Sequence, residues 1–396
     1  MFSFFKNTIR DDIVLIDSIF PQEKPMGFRN YEINYLMDSI EGCKSYTMYP
    51  MKPGKDAWFK HGYGMEKGVF DNNLKKYLHF YPENEGKIFL LNKKNKYKFR
   101  LAYSHFLAET FTLLPFFNKN KIPFIFILYP GGAFGLNNKS SDKMLRKIFS
   151  SPYFLKVITT QEVTKNYIIN KKLCPEEKVE FIFGGISQFR IEDSIKKKLY
   201  KVDKDTFDIC FVAFKYSDKG VDKGYDLFIE AARRLANQYP DMHFHVVGGF
   251  DESEIDVSDI KSQINFYGPR QPNFLRDFYS KMDICLSPNR PYKLYEGNFD
   301  GFPLGAECMF LGTALFTTDE LMNNNEYFDD DEIIIIKPEA EDITLKIKEY
   351  YLNTNKLYSL SKRGQLKVNK LMNPDNVLKK ISEIIMESAE SCRKIG

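Results

Sequence analysis

Residues 299–319 combine acidic side chains with glycine and proline at a spacing that suits a phosphorylated, hydroxyl-rich ligand. The pattern predicts a loop, a short helix starting near Gly305, a break at Gly312 and then a buried strand. The N-terminus of a helix has unpaired N–H groups and a partial positive charge, which suit a phosphate. Asp300 and Glu307 bracket this helix start, and carboxylates accept hydrogen bonds from sugar hydroxyls. Together the two features predict a nucleotide-sugar site.

Short apolar segments alternate with helical stretches along the chain, which predicts an α/β protein with parallel sheets. The candidate strands of the first half are 13–16, 45–49, 88–91, 124–128, 157–159 and 179–183. The candidate strands of the second half are 209–213, 243–247, 265–267 and 284–286. Helices are predicted from about Tyr225, over 273–281, and from Asn373-Pro374, which is a good cap and first-position pair.

A chain of 396 residues is long enough for two domains of ordinary size. The segment 191–206 is polar and rich in lysine, so it is the natural linker between them. We therefore predict an N-terminal domain over 1–190, a linker over 191–206, a C-terminal domain over 207–373 and a final helix over 374–396.

The composition is that of a soluble globular protein, with 43% hydrophobic and 28% charged residues. The longest clean apolar run, 124–128, is too short to span a bilayer, and the first residues lack the apolar region and cleavage site of a signal peptide. Six cysteines lie far apart in the sequence, which favours neither a disulfide framework nor a zinc site. We therefore expect a cytoplasmic protein.

The two halves of the chain differ in charge. Residues 1–190 contain 29 Lys or Arg and 18 Asp or Glu, whereas the remainder contains 28 and 35, within a net charge of +4. The basic half hints at an anionic lipid surface, a phosphate-bearing acceptor or an acidic glycan. A solvated lysine-rich surface explains the charge equally well. Nucleic acid is disfavoured, because no recognised binding motif accompanies the charge.

The aromatic stretch 106–117 lies between the basic segment 93–100 and the pair Lys119 and Lys121. Two interpretations of this stretch are open. It is either a surface that leans on a membrane, or the apolar face of a helix that packs on the sheet.

The block 299–319 resembles the donor-site signature of retaining glycosyltransferases of family 4, in which Glu-Gly-Phe-Gly-Leu and Glu-Ala-Met precede a Gly-Thr strand. Other segments are similar to that family in order and spacing: Lys223-Gly-Tyr-Asp-Leu-Phe-Ile-Glu-Ala, His245-Val-Val-Gly-Gly and Phe266-Tyr-Gly. The resemblance implies the GT-B fold, with two Rossmann-like α/β domains whose parallel sheets face across a cleft, and a C-terminal helix that crosses back to the N-terminal domain. It assigns the acceptor to the first domain and the nucleotide-sugar to the second.

The resemblance also implies cations that stabilise the diphosphate leaving group, because negative charge grows there as the glycosidic bond breaks. Lys223 stands at the position of the family's lysine. Lys215 would have to replace the family's arginine, as a point charge rather than a fork. Lys219 begins a second Lys-Gly pair just upstream, but the spacing to the following helix favours Lys223.

By the same resemblance, Glu307 takes the ribose hydroxyls and Asp300 takes the hydroxyls of the donor sugar. Six residues separate these acids where the family has seven, so Glu296 is an alternative to Asp300. The residues expected to hold the diphosphate and sugar at the helix start are Phe302, Pro303, Leu304 and Gly305. The residues expected to line the base are Tyr267, Gly268 and Arg270, of which Arg270 is equally well interpreted as plain surface.

On the acceptor side, Gly27 and Arg29 follow the first strand, where GT-B proteins approach the phosphates with a glycine loop. Tyr129, Gly131 and Gly132 end a strong strand at the place where many relatives carry a histidine, which is absent here. His105 is the best remaining N-terminal histidine, and it is interpreted as capping or packing a helix more readily than as a chemical group.

The resemblance implies retaining transfer of a sugar from a nucleotide-sugar, with a UDP-sugar as the favoured donor, to a hydroxyl of a surface glycan, glycolipid or protein. We expect front-face attack, in which the acceptor approaches from the side that the diphosphate leaves. No Asp-x-Asp motif stands out in a suitable place, so we expect metal-independent transfer without a cofactor. Peripheral contact with the inner face of the plasma membrane is expected through the basic N-terminal domain.

A second interpretation is a non-catalytic glycosyltransferase-like partner that binds an acceptor or stabilises an active subunit. The missing arginine, the missing histidine and the altered spacing of Asp300 favour it, whereas the retention of Lys223 and Glu307 argues against it. A nucleotide-sugar epimerase or an inverting transferase with the GT-B fold is a third interpretation.

Overall fold

The computed structural model describes residues 7–25, 27–50, 63–192, 194–292, 305–322, 324 and 326–393. The chain divides into two compact units. The N-terminal unit contains Met1–Ile186 together with Asp375–Gly396, and the C-terminal unit contains Ser187–Pro374.

Parallel strands form the sheet of the N-terminal unit, in the order β3-β2-β1-β4-β5-β6-β7. The strands are β1 Thr8–Asp17, β2 Lys44–Thr47, β3 Ile88–Leu90, β4 Lys96–His105, β5 Phe124–Leu128, β6 Phe154–Thr159 and β7 Val179–Phe181. The helices that connect them are α1 Gly27–Ser39, α2 Lys67–Phe80, α3 Leu107–Asn120, α4 Lys139–Phe149 and α5 Glu162–Asn170.

Strand β1 shows why this sheet needs helices on both faces. Val14 and Ile16 belong to one buried cluster, whereas Ile13 and Leu15 belong to the cluster on the opposite face. Successive side chains of a strand point to opposite faces, so a strand that is apolar at consecutive positions is buried on both sides.

The order of strands in this sheet reverses between β1 and β4. β1 pairs with β2 on one side and with β4 on the other, and Ile16 lies beside Ser104. In open parallel sheets, ligands bind in the crevice outside the carboxyl ends of the strands at such a switch point. Asp17 and His105, the last residues of β1 and β4, lie at this place.

The C-terminal unit has a second parallel sheet, in the order β10-β9-β8-β11-β12-β13. Its strands are β8 Phe207–Ala213, β9 Met242–Gly248, β10 Ile264–Phe266, β11 Ile284–Ser287, β12 Ala314–Thr317 and β13 Ile334–Ile335. Its described helices are α6 Tyr225–Ala236, α7 Pro272–Lys281, α8 Glu307–Phe310, α9 Ala340–Tyr351 and α10 Thr354–Met372. The switch point of this sheet lies between β8 and β11.

The final helix, α11 Pro374–Arg393, packs with the N-terminal unit. Val377, Ile381 and Ile385 are buried in the same apolar cluster as Leu36 of α1. The helix begins at Pro374, as predicted. Proline is favoured at the first helical position because the N–H group that it lacks would not form a hydrogen bond within the helix.

Residues 191–206, predicted to be a linker, belong to the C-terminal unit and pack on it. Tyr200 is buried in the core of this unit, and its ring centroid is 5.5 Å from that of Phe207. The lysine content that suggested a linker has a local purpose, since the Lys204 ammonium lies 2.5 Å from a carboxylate oxygen of the buried Asp283.

The stretch 106–117 fits the second of the two interpretations, a helix whose apolar face packs on the sheet. Residues 107–120 are helix α3, which buries Phe117 against Phe124 of β5 with ring centroids 4.5 Å apart. The basic segment before it contains β4, whose apolar side chains such as Phe99 are buried while Lys96 and Lys98 are exposed. Among the described residues, no helix is long and apolar enough to cross a membrane.

Three cysteines that are distant in sequence, Cys210, Cys285 and Cys308, are neighbours in the core of the C-terminal unit. Cys210 and Cys285 are paired residues of β11 and β8. Hydrogen bonds from the thiols of Cys210 and Cys308 lower the pKa of Cys285 to about 5. All the cysteines are free thiols.

Candidate functional site

Lys223 is a buried cation in a tight loop of the C-terminal unit. The loop runs from a 3₁₀ turn over Asp218–Gly220 to the start of α6. Only 4% of Lys223 is exposed, and burial lowers the pKa of its ammonium to about 8 although the adjacent Asp222 carboxylate raises it. Lys219, the upstream alternative, is exposed to solvent. Of the two lysines, Lys223 therefore has the enclosed charge that a ligand can exploit.

Gly224 and Gly305 bring the two sequence motifs to the same place, the carboxyl end of β11. Gly224 has a φ of +74°, and a Cβ atom there would lie 2.1 Å from the carbonyl oxygen of Pro288. A Cβ atom on Gly305 would lie 3.3 Å from the Cβ of Ser287. Both glycines are thus needed for close approach, and they place the Lys223 loop and the start of α8 at the switch point of the sheet.

Glu307 is the first residue of α8 and is half-buried. Burial raises the pKa of its carboxyl group to about 7, while a hydrogen bond from the backbone N–H of Gln188 lowers it. The group therefore ionises near neutral pH, and its ionised form accepts hydrogen bonds from hydroxyl groups.

Two buried polar atoms near this switch point have no hydrogen-bond partner among the residues that the structure describes. They are Oδ2 of Asp222 and Oδ1 of Asn289. The other oxygen of Asp222 accepts a hydrogen bond from Ser217, and the Asn289 amide donates to Oγ of Ser287 at 2.8 Å. Unpaired buried polar atoms are rare in native proteins, so they indicate where a ligand or water supplies the partner.

Arg290 fixes the Lys223 loop from the β11 side. Its Nε donates to the carbonyl oxygen of Val221 at 2.8 Å, and its backbone N–H donates to the carbonyl oxygen of Asp222 at 2.9 Å. Its guanidinium also pairs with Asp226 in the first turn of α6. These contacts hold the backbone just before Lys223 and a side chain in the first turn of the helix after it, so the ammonium is positioned before any ligand binds.

Lys215, expected to supply a second cation, is exposed and forms an ion pair with Glu254. Glu254 lies in the loop that follows β9, so Lys215 ties the ends of β8 and β9 together. The Glu254 carboxylate already neutralises the charge of Lys215. In this structure Lys215 is therefore not arranged to bind a diphosphate.

The segment expected to line the base lies after β10. The Tyr267 hydroxyl is 3.0 Å from Nδ1 of His245, which fixes the ring of Tyr267 on the sheet. Gly268 has a φ of +65°, and a Cβ atom there would meet nothing within 4 Å. Arg270 is exposed, with its guanidinium stacked 5.0 Å from the ring centre of Phe274.

Several predicted residues lie outside the described part of the chain. They are Glu296, Asp300, Phe302, Pro303 and Leu304. Gly305 and Glu307 are therefore the described members of the predicted donor loop and helix start.

In the N-terminal unit, His105 lies between two carboxylates and is fully buried. Its Nδ1 is 3.5 Å from Oδ2 of Asp17, and its Nε2 is 3.1 Å from Oε2 of Glu32. Although burial disfavours the charged ring, Glu32 and Asp17 together raise the pKa of His105. The hydroxyls of Tyr103 and Tyr129 also donate to Glu32. The imidazolium thus joins the carboxyl ends of β1 and β4 to helix α1.

Arg29, in the first turn of α1, connects this buried network to the surface. Its guanidinium pairs with Glu109, its Nε is 3.5 Å from Oδ2 of Asp17, and 15% of its side chain is exposed. The guanidinium also stacks on Phe106, 4.7 Å from the ring centre. Burial raises the pKa of Glu109 in spite of the neighbouring Arg29.

Three glycines of the N-terminal unit were predicted to lie at the substrate site. All three have positive φ values and lie near this network. Gly27 starts α1 with a φ of +79°, and a Cβ atom there would meet nothing within 4 Å. Gly131 and Gly132 follow Tyr129 with φ values of +86° and +56°. The carbonyl of Gly132 accepts a hydrogen bond from the N–H of Ala108 at 3.0 Å, which ties the loop after β5 to α3. The structure therefore brings Gly132, Tyr129, Arg29 and His105 together.

Comparison with known protein families finds a match for the C-terminal part of the chain. Residues 207–353 match the model of the family described as Glycosyl transferases group 1. The C-terminal unit therefore contains a segment that is similar to this family. No curated protein sequence matches the chain.

Solved structures resemble this chain along most of its length and share its GT-B fold. Sucrose-phosphate synthase from Thermosynechococcus elongatus is 13% identical with a TM-score of 0.64, over 95% of this chain and 98% of that one. A glycosyltransferase from Rickettsia africae is 14% identical with a TM-score of 0.62, over 96% and 98%. Anabaena HepE, solved in complex with UDP and glucose, is 14% identical with a TM-score of 0.64, over 95% and 100%.

Sequence reasoning missed Asn289 and Arg290 in the C-terminal unit and the network of Asp17, Glu32 and Glu109 in the N-terminal unit. The first pair had a usable signal, because it directly follows the candidate strand 284–286 at the place where ligand-binding loops begin. The network had a weaker signal, since its members come from four separate elements and meet only in the folded chain.

Replacing His105 by leucine is expected to lower the free energy of unfolding by ~3–5 kcal/mol, because it leaves the carboxylates of Asp17 and Glu32 buried without their cation. The folded-state pKa of His105 lies above its ordinary value of 6.5, so its contribution is complete below 6.5 and is lost as pH rises through the raised value. Urea unfolding at about pH 6 and about pH 9 measures both effects. His79→Leu, at an exposed position of α2, is the control; an equal loss in both variants would contradict the expectation.

Gly224→Ala is expected to destabilise the C-terminal unit more than Gly268→Ala. Both residues have positive φ, so each substitution costs ~1–2 kcal/mol in backbone conformation. At Gly224 the new methyl group also meets the Pro288 carbonyl oxygen, whereas at Gly268 it meets nothing. Thermal unfolding of the two variants compares them, and equal melting temperatures would show that the Lys223 loop does not sit against β11.

Proposed function

We propose that the protein is a retaining glycosyltransferase of the family 4 type, which transfers a sugar from a UDP-sugar to a hydroxyl of a surface glycan, glycolipid or protein. The observation that carries the proposal is the convergence of Gly224 and Gly305 on Ser287 and Pro288. This convergence puts the buried ammonium of Lys223 in the same neighbourhood as Glu307, at the switch point where α/β sheets bind ligands. The UDP bound to Anabaena HepE supports uridine as the base.

In the proposed reaction, the bond from the sugar's anomeric carbon to the diphosphate breaks while the acceptor oxygen bonds to the same face of that carbon. The departing diphosphate oxygen takes the proton of the acceptor hydroxyl, so no enzymic nucleophile is required. Lys223 neutralises the charge that grows on the diphosphate, and such a preorganised contact contributes ~3–4 kcal/mol to lowering the barrier. Glu307 accepts hydrogen bonds from the ribose hydroxyls and orients the donor.

The test is release of the free nucleotide and transfer of the sugar across a panel of UDP-, GDP-, dTDP- and ADP-sugars. The expected result is turnover of one donor by the wild type, strongly reduced in Glu307→Ala when the donor is below saturation. The anomeric configuration of the product by NMR decides between retention and inversion. An inverted product would overturn the retaining assignment alone. Absence of turnover and of binding for every donor by the folded protein would overturn the proposed reaction.

A second candidate function is that of a non-catalytic partner that binds an acceptor or stabilises an active transferase. The ion pair between Lys215 and Glu254 favours it, because the cation that would replace the family's arginine is already compensated. Donor-dependent nucleotide release distinguishes the two functions. The single variant Glu254→Gln, which frees Lys215, adds a second readout: a rise in turnover would show that Lys215 assists the leaving group once released.

Transfer without a metal ion or cofactor is part of the proposal and rests on the sequence, which has no Asp-x-Asp motif in a suitable place. Turnover is expected to survive exhaustive treatment with EDTA. Loss of activity in EDTA, and its recovery on adding Mg²⁺ or Mn²⁺, would show that a divalent ion neutralises the diphosphate instead.

We further propose a cytoplasmic protein that touches the inner face of the plasma membrane through its basic N-terminal unit. Helix α4 supports this, because its buried face holds Leu145 while its outer face presents exposed cations. The exposed cations are Lys139, Lys143, Arg146 and Lys147. Each cation near an anionic surface contributes ~1 kcal/mol to binding, so charge reversal of the last three should abolish sedimentation with phosphatidylglycerol vesicles. Reversal of Lys93, Lys94 and Lys96 is the comparison, and unchanged binding in both variants would remove the proposal.

A further inference from the structure

Phe28, Arg29 and Phe106 form a half-buried surface at the switch point of the N-terminal sheet, which we call the aromatic platform. The ring centroids of Phe28 and Phe106 are 6.3 Å apart, and the Arg29 guanidinium lies 4.7 Å from the centre of the Phe106 ring. The buried ring of Tyr129 packs against the platform, with its centroid 4.8 Å from that of Phe28. The platform thus offers two apolar rings, tilted by 60° to each other, beside a fixed hydrogen-bond donor.

Phe106 has a strained backbone, and the fold is built around its ring. Its φ of 57° and ψ of 157° lie in a region that residues with a side chain rarely adopt. Its N–H donates to the carbonyl oxygen of Ile127 at 2.9 Å, which holds the residue in place. A Cβ atom on Gly132 would lie 2.5 Å from Cδ1 of this ring, so the glycine clears the space that the ring occupies. Glycine at position 106 would adopt this backbone without strain. Phenylalanine at a strained position indicates that its ring contributes to structure or to binding.

Glu109 provides an acceptor next to the platform. One of its oxygens accepts from Ser18 and from the Arg29 guanidinium. The other, Oε2, is buried and has no hydrogen-bond partner within the described part of the chain. An unpaired oxygen in a residue that is 2% exposed calls for a donor from outside the chain, such as a hydroxyl group.

The charges around the platform argue against an anionic ligand. The network contains three carboxyl groups, Asp17, Glu32 and Glu109, against two cations, Arg29 and His105. The Arg29 guanidinium is therefore compensated by Asp17 and Glu109 and offers no excess positive charge to a phosphate or a carboxylate. A ring with apolar C–H faces and several hydroxyls fits the aromatic surface, the free acceptor and the balanced charge at once.

We propose that the aromatic platform is the acceptor subsite and that it takes a neutral sugar ring. The inference rests on the proposed glycosyl transfer and narrows its acceptor to a glycan or glycolipid that ends in an uncharged sugar. The ring packs on Phe28 and Phe106, and one of its hydroxyls donates to Oε2 of Glu109. His105 and Glu32 position the carboxyl end of β4 beneath this surface and touch no substrate.

The experiment measures acceptor binding and donor turnover separately. Saturation-transfer NMR with methyl glycosides of uncharged hexoses and N-acetylhexosamines reports binding to the protein without any donor. Glycerol phosphate and methyl glucuronide are the anionic comparisons. The variants are Phe106→Leu, which keeps apolar bulk without a ring, and Phe106→Tyr, which keeps the ring. Phe80→Leu, at an exposed position of α2, is the matched control.

A neutral glycoside is expected to bind the wild type, the Tyr variant and the control, and to bind Phe106→Leu about tenfold more weakly. Hydrolysis of the donor without acceptor should be the same in the wild type and in the Phe80→Leu control. If the anionic compounds bind better, or if Phe106→Leu binds the glycoside as the control does, the inference is wrong while donor turnover still supports glycosyl transfer. If no donor turns over but the ring-dependent binding remains, the proposed reaction fails and the sugar subsite stands.

Discussion

Replacing Lys223 by alanine is expected to lower kcat for donor turnover by about 10²–10³-fold, the usual effect of removing one preorganised group that stabilises transition-state charge. The ammonium is almost fully buried, and Arg290 holds its loop through Val221, Asp222 and Asp226, so it needs no reorganisation when the diphosphate departs. Because the charge on the diphosphate grows only as the bond breaks, the loss should fall on kcat rather than on KM for the donor.

Lys219→Ala is the matched control for this substitution. Lys219 belongs to the duplicated Lys-Gly pair four residues upstream, but it is exposed where Lys223 is enclosed. Its removal should leave kcat within about twofold of the wild type, as for an ordinary surface charge. Equal losses in the two variants, or a larger loss for Lys219→Ala, would assign the leaving-group role to the other register.

The pH dependence provides an independent check on Lys223. Burial lowers the pKa of this ammonium to about 8, so its charge is present below that pH and is lost above it. The value of kcat/KM, which reports groups of the free enzyme, should therefore fall as pH rises through about 8. Lys223→Arg keeps its charge at every working pH, so its residual activity should lack this decline.

A resemblance to a known family, carried by short motifs in order along the chain, predicted the family that residues 207–353 match. Gly224 and Gly305 are separated by 80 positions, yet each marks a turn whose local chemistry is legible: a glycine before an amphipathic helix and a glycine after a proline-containing loop. The strand 124–128 was predicted with the bounds that the structure has, because a continuous apolar run in an α/β pattern indicates a strand buried on both faces.

Strand β4 escaped prediction for a physical reason. Its first part alternates lysine or arginine with Tyr97, Phe99 and Leu101, so the apolar side packs while the basic side is exposed. The charges suggested a basic flank, although the alternation itself was the signal of a strand. The buried network at its end is harder to predict, since Asp17 and His105 become neighbours only through the pairing of β1 with β4. The pairing of strands that are distant in the sequence cannot be predicted from local composition.

Glu307 is expected to act on donor binding rather than on the chemical step. Glu307→Ala should raise KM for the donor about a hundredfold, since hydrogen bonds to a charged group contribute ~1.5–3 kcal/mol each. The ribose hydroxyls stay uncharged as the glycosidic bond breaks, so their interaction with Glu307 is equal in the ground state and the transition state, and kcat should change little. Glu320→Ala, at an exposed position of the same unit, is the control.

The acid side of the pH profile tests the same assignment. Burial raises the pKa of Glu307 to about 7, so the carboxylate that accepts hydroxyl hydrogen bonds is lost as pH falls through that value. Combined with the ammonium of Lys223 near 8, this gives kcat/KM a narrow maximum between the two values. Glu307→Gln should abolish the acid limb and leave the alkaline limb in place, whereas Lys223→Arg should do the reverse. If Glu307→Gln retains the acid limb, another acid holds the ribose, and the Glu307 carboxyl serves only to fix the Gln188 backbone beside α8.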